Sequence, residues 1–135
     1  MIVVLDASAA LEIALNRDDA KNFRAVLADS DVVLAPSTFP PEITNAIWKY
    51  RVFSDLDQGT CEAAIDYCLD LVDDYIDTKE FCREVFAESV RSRHPAYDLF
   101  YLVLARRNGA AILSKDKKMA GLAKELKIEV LGRAP

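Results

Sequence analysis

The sequence predicts one α/β domain, a three-layer α/β/α sandwich on a mostly parallel sheet of roughly five strands. Three observations carry that expectation. Short apolar runs such as Ile2-Val3-Val4-Leu5 and Ala111-Ile112-Leu113 read as strands covered on both faces. Between such runs lie one or two segments at helical spacing, which supply the length a parallel crossover needs. No two-residue hairpin signal joins neighbouring strands.

Ile2 to Leu5 is the first predicted strand, followed by a helix from Ala7 to Leu15 with Leu11, Ala14 and Leu15 at helical spacing. A second helix is expected over Asp18 to Ala28, its paired acids favourable near the positive N-terminal end and Phe23, Val26 and Leu27 on one face. Val32 to Ala35 reads as the next strand. Pro36, Pro40 and Pro41 punctuate a loop, and helical spacing resumes from Glu42 to Phe53. Gly59 marks a break before an amphipathic helix from Cys61 to Val72. Tyr75-Ile76 is short enough for an edge strand, and Thr78 with Phe81 opens another helix. His94-Pro95 interrupts it. A helix restarts with Pro95 at its first position and runs to Arg107, where Asn108-Gly109 stops it. Ala110 to Ser114 is then a strand, Lys117 to Lys127 a helix and Ile128 to Leu131 a last strand.

Composition narrows the function classes. At 135 residues, 52% hydrophobic and 29% charged, the chain has the size and core of one domain, spanning residues 1–135 without a linker. The longest apolar stretch, Leu99 to Ala105, is far short of the roughly 20 residues of a membrane span, and no signal peptide is recognisable at the N-terminus. A cytosolic protein with no membrane partner is expected. Cys61, Cys68 and Cys82 form no Cys-x-x-Cys pair and read as reduced, buried core thiols. A net charge of −5 argues against a protein that coats nucleic acid by neutralising phosphates. A nuclease remains compatible, because divalent cations reverse the field of an acidic cleft.

Asp6, Glu42, Asp98 and Asp116 are the residues that suggest chemistry. Each stands where a strand end or loop passes into a helix, the edge at which parallel α/β sheets bind ligands. Taken singly, Asp6 and Asp116 read as helix N-caps and Glu42 as a first-turn acid. Asp98 fits that account less well, because the helix it opens is apolar nearly all round, from Tyr97 and Leu99 to Leu104. A carboxylate buried there must be paired, protonated or bound to a cation, and the nearest base is His94. Four converging acids would also repel one another and raise their pKa values. One or two Mg²⁺ or Mn²⁺ ions relieve that conflict and would activate water against a phosphodiester.

These motifs resemble those of the PIN-domain nucleases, most closely the single-domain VapC-type toxins. Val3 through Asp6 and Ser8 to Leu11 is similar to the family's strand-Asp-x-Ser motif, and Pro36 through Glu42 to Asn45 to its second acidic motif. Pro95-Ala96-Tyr97-Asp98 matches the third, and Ile112-Leu113-Ser114-Lys115-Asp116 the fourth, with Ser114 in place of the commoner Thr. The resemblance implies a PIN-like fold and Mg²⁺- or Mn²⁺-dependent cleavage of RNA by Asp6, Glu42, Asp98 and Asp116. It also implies support from Ser8, Asn45 and Ser114, and in toxin members a small antitoxin protein that occludes the cleft. A PIN nuclease of RNA processing without an antitoxin is the second reading. A receiver-like signalling domain needs an acidic pair after the first strand, whereas Ala7 follows Asp6. A non-catalytic binding module would not need the complete acidic set.

Other residues carry weaker signals. His94 reads as a loop or cap residue outside the mechanism. Lys115, Lys117 and Lys118, and Arg91, Arg93, Arg106 and Arg107, are equally suited to RNA phosphates or a solvated face. Trp48, Tyr50 and Phe53 suggest core packing or a protein interface, and an exposed stripe there would suit a homodimer or an antitoxin helix.

Overall fold

The computed structural model describes residues 1–132. Its five strands are β1 (Ile2–Leu5), β2 (Val32–Pro36), β3 (Asp74–Ile76), β4 (Ala111–Leu113) and β5 (Val130–Leu131). They form one sheet in the order β3-β2-β1-β4-β5, and every pair is parallel. Val3, Val4 and Leu5 are fully buried, as a central strand covered on both faces requires.

Among the described residues, seven α-helices connect the strands: α1 (Ala7–Ala14), α2 (Ala20–Ala28), α3 (Phe39–Phe53), α4 (Gln58–Asp70), α5 (Cys82–Ser92), α6 (Ala96–Arg107) and α7 (Lys117–Glu125). The chain steps from β1 to β2 to β3 in one direction, then returns across the sheet to β4 and β5. Right-handed crossovers therefore place α1 to α4 over one face and α5 to α7 over the other. The direction reverses between β1 and β4, which pair with Leu5 opposite Leu113. Loops leaving those two strand ends diverge to opposite faces, and the crevice that opens there is the site such sheets use.

Helix α6 is the central helix of its layer. It packs on β1, β2 and β4, and Leu99, Leu102, Val103 and Leu104 are buried against them. Tyr97 departs from the all-round apolar helix expected from sequence, because it is 70% exposed on the first turn.

Several boundaries differ from the sequence reading, each for a local reason. Pro40 and Pro41 belong to the first turn of α3 rather than to a loop. First-turn amides have no acceptor within the helix, so proline costs no hydrogen bond there. Gly59 is inside α4, and the break falls earlier, where Asp55 adopts φ 54° and the Asp57 carboxylate caps the helix by accepting the Thr60 N–H at 2.8 Å. Pro95 is the N-cap of α6 rather than its first residue. Cys61 and Cys68 are buried as expected, but Cys82 is exposed. Among the described residues, no helix is long and apolar enough to cross a membrane.

Candidate active site

Asp6 leaves the buried end of β1 and is itself buried, at 5% exposure. It stands at the N-cap of α1, yet its side chain makes no cap hydrogen bond. Its Oδ2 instead accepts from Ser8 Oγ at 2.6 Å and Ser114 Oγ at 2.7 Å. Each hydroxyl also takes a backbone amide, Ser8 Oγ accepting the Lys115 N–H at 2.9 Å and Ser114 Oγ the Asp116 N–H at 3.0 Å, and the two hydroxyl oxygens lie 3.3 Å apart. The first and fourth motifs are thus joined through two serines, both expected from sequence to support the acids.

Asp116 does follow the capping account. Its Oδ1 accepts the Lys118 N–H at 2.9 Å at the start of α7. Glu42 lies in the first turn of α3, and its Oε2 accepts the Tyr101 phenol of α6 at 2.9 Å. Its Oε1 is buried without a hydrogen-bond partner. Asp98 stands in the first turn of α6, with Oδ2 2.8 Å from His94 Nε2. It is not the deeply buried acid the sequence suggested: its side chain is 30% exposed, because it lies at the helix end rather than along the packed face.

All four acids, with Ser8 and Asn45, line one cavity of about 560 Å³. Among the described residues, each acid has one oxygen held by a protein donor and one that receives none. Two of these acids, Asp6 and Glu42, have raised pKa values, for which burial is the leading cause and the neighbouring carboxylates a smaller one. Burial raises the pKa of Asp6, opposed by the two serine hydroxyls and reinforced by the negative charges of Asp98 and Asp116. Burial also raises Glu42 to about 7, tempered by the Tyr101 hydrogen bond and reinforced by Asp6. Burial first, then the charges of Asp6 and Glu42, push the Tyr101 phenol far upward, so it stays a donor.

This donor set fits a hard divalent cation. Free carboxylate oxygens are the ligands Mg²⁺ and Mn²⁺ prefer, and an orphaned buried Glu42 Oε1 is a group such an ion would satisfy. Among the described residues, no three His, Cys, Asp or Glu side chains already converge closely enough to hold one ion, so the fit rests on the donor chemistry of the acids that line the cavity.

Sequence reasoning set His94 aside and overlooked Tyr101 and Lys49, which all bear on this cavity. Tyr101 had a signal, since it stands three residues after Asp98 and shares its helix face. The basic residues divide. Lys115 Nζ is held by Glu12 at 2.5 Å and Asp19 at 3.2 Å, and Arg91, Arg106 and Arg107 pair with Glu84 and Glu88 on α5. Among the described residues, Arg93, Lys117 and Lys118 have no ion pair. Core packing does not hold for Trp48 and Phe53, which are 51% and 74% exposed, whereas Tyr50 packs inward beneath the Arg17 guanidinium.

Comparison with solved structures places this architecture. PAE2754 from Pyrobaculum aerophilum superposes with a TM-score of 0.74 at 18% identity, covering 96% of this chain and 83% of that one. VapBC2 from Rickettsia felis, solved bound to a DNA fragment from its promoter, gives 0.66 at 17% identity, covering 96% and 97%. No family model and no curated protein matches the chain. The likeness defines the class by fold: this is a PIN-like α/β/α domain.

Proposed function

We propose that the protein is a metal-dependent endoribonuclease, the toxin of a toxin–antitoxin pair. One observation carries the reading: four acids from remote segments line one cavity, each with an oxygen the protein leaves free. The PIN-like fold shared with VapBC2 and the resemblance of the four motifs to VapC-type toxins support it.

Asp6, Glu42, Asp98 and Asp116 would hold one or two Mg²⁺ or Mn²⁺ ions. When bound, such an ion lowers the pKa of its water and stabilises the leaving oxygen of a phosphodiester. The protein groups prepare that chemistry. Ser8 and Ser114 hold the Asp6 carboxylate by one edge, and Tyr101 does the same for Glu42. Lys49 and Asn45 line the cavity with polar groups that suit an RNA backbone. Trp48, Val52 and Phe53 form an exposed apolar stripe beside it, suited to an antitoxin helix or a second copy of the chain.

The test is cleavage of end-labelled single-stranded RNA by purified protein with Mg²⁺, Mn²⁺ or chelator. Cleavage is expected only with metal and is expected to vanish in Asp6→Asn and Asp98→Asn, with circular dichroism unchanged. Full activity in either variant, or in chelator, would overturn the mechanism. A small overlapping gene encoding a basic DNA-binding N-terminus is expected beside a toxin; its absence would favour RNA processing.

A further inference from the structure

We propose that His94 is the positioning residue for Asp98, holding the carboxylate through Oδ2 so that Oδ1 remains for the divalent cation. The inference rests on the metal-nuclease reading above. His94 Nε2 lies 2.8 Å from Asp98 Oδ2, and Asp98 Oδ1 receives no donor among the described residues. This pair is not a pair along one helix, because His94 precedes α6, which begins at Ala96. A dedicated turn brings the ring back.

Arg93 ends α5 in the left-handed region at φ 54°, a conformation disfavoured for a side chain of its kind, and so reverses the chain direction. The His94 N–H then donates to Ser89 O at 3.3 Å, while Ser89 Oγ donates to His94 O. Pro95 follows as a rigid N-cap without an amide proton. The backbone of His94 is thereby pinned on both sides, and its side chain is only 19% exposed. A ring fixed in this way restricts the rotamers of Asp98 before any ligand arrives.

The same arrangement recurs at the other acids, where one oxygen is tied by Ser8 and Ser114, by Tyr101 or by the Lys118 amide. His94 completes the set. Groups that hydrogen-bond a ligating carboxylate typically contribute about 10–100-fold in metal affinity. A His–Asp pair serving only the fold would leave the metal affinity of the folded protein untouched.

The experiment is a Mn²⁺ titration of the full chain, followed by the electron paramagnetic resonance signal of free Mn²⁺, with thermal melts of every variant. His94→Ala is expected to weaken Mn²⁺ binding about 10–100-fold. His94→Gln, whose amide donates from near the Nε2 position, is expected to recover most of that loss, and His94→Asn, which is too short, is not. In an Asp98→Asn background, His94→Ala is expected to add no further loss. Unchanged affinity in His94→Ala, or equal affinity of folded His94→Gln and His94→Asn, overturns the role of His94 while the nuclease reading stands. Should His94→Ala fail to fold, the Gln and Asn pair decides. A wild-type protein that binds no Mn²⁺ and cleaves no RNA overturns the nuclease reading and this inference together.

Discussion

Asp6 is held where an isolated carboxylate would be unfavourable, and its two serine donors explain how it is tolerated. Ser114 matters most, because its buried hydroxyl donates to Asp6 and accepts the Asp116 amide. Ser114→Ala is expected to cost about 1–3 kcal/mol, since it leaves polar groups unpaired, and Ser114→Thr is expected to recover much of it. Urea denaturation checks both. Glu42 supplies a pH signature. Its pKa in the folded protein is about 7 against an ordinary 4.5, so the folded state holds this proton more tightly than the unfolded chain does. Stability of metal-free protein is therefore expected to fall as pH rises through that window, and Glu42→Gln is expected to flatten the fall. Added Mn²⁺ is expected to restore the melting temperature above that window, because binding favours the folded state. A melting temperature that rises over the same range in chelator would contradict the assignment. At this scale the sequence named Ser8 and Ser114 beside the acids, but it did not name Tyr101 as the partner of Glu42 and it set His94 outside the mechanism. His94 read as a loop residue because its contact depends on the left-handed turn at Arg93 and on Ser89, which no spacing rule encodes.

Helix α6 joins stability to the site. Its first turn delivers Asp98, the next brings Tyr101 to Glu42, and Leu102 to Ala105 are buried before the exposed Arg106 and Arg107 end the helix. Leu102, fully buried, is expected to cost about 2–5 kcal/mol when replaced by Ala, with little change in the denaturant slope. Ion pairs of Arg106 and Arg107 with Glu84 and Glu88 tie α5 to α6, but these partly exposed pairs contribute little beside that core. Element types were legible because strand runs and helical periodicity differ in length and spacing. Boundaries were less so. Pro40-Pro41 reads as a loop signal and also as a helix start, and only the course of α3 decides between them. Gly59 reads as a breaker, but the Asp57 cap begins α4 one residue before it.

At the scale of the whole molecule, strand order creates the cavity. The reversal between β1 and β4 brings Asp6 beside Ser114, and helices from both faces add Glu42 and Asp98. Trp48, Val52 and Phe53 are exposed on α3, and Phe53 also lines the cavity, so a partner seated on that stripe would lie at the cavity's edge. If that face is used by a second copy, Val52→Asp is expected to shift the sedimentation coefficient from dimer to monomer without loss of helicity; an unchanged dimer would place the interface elsewhere. The sequence by itself determined the α/β class and the parallel sheet, and singled out the acids as candidates, because periodicity and residue chemistry are local properties. Only the tertiary structure decided which acid is buried, which oxygen of each is free and which bases are already neutralised. Those are distances between segments far apart in the chain, set by crossovers and packing rather than by spacing.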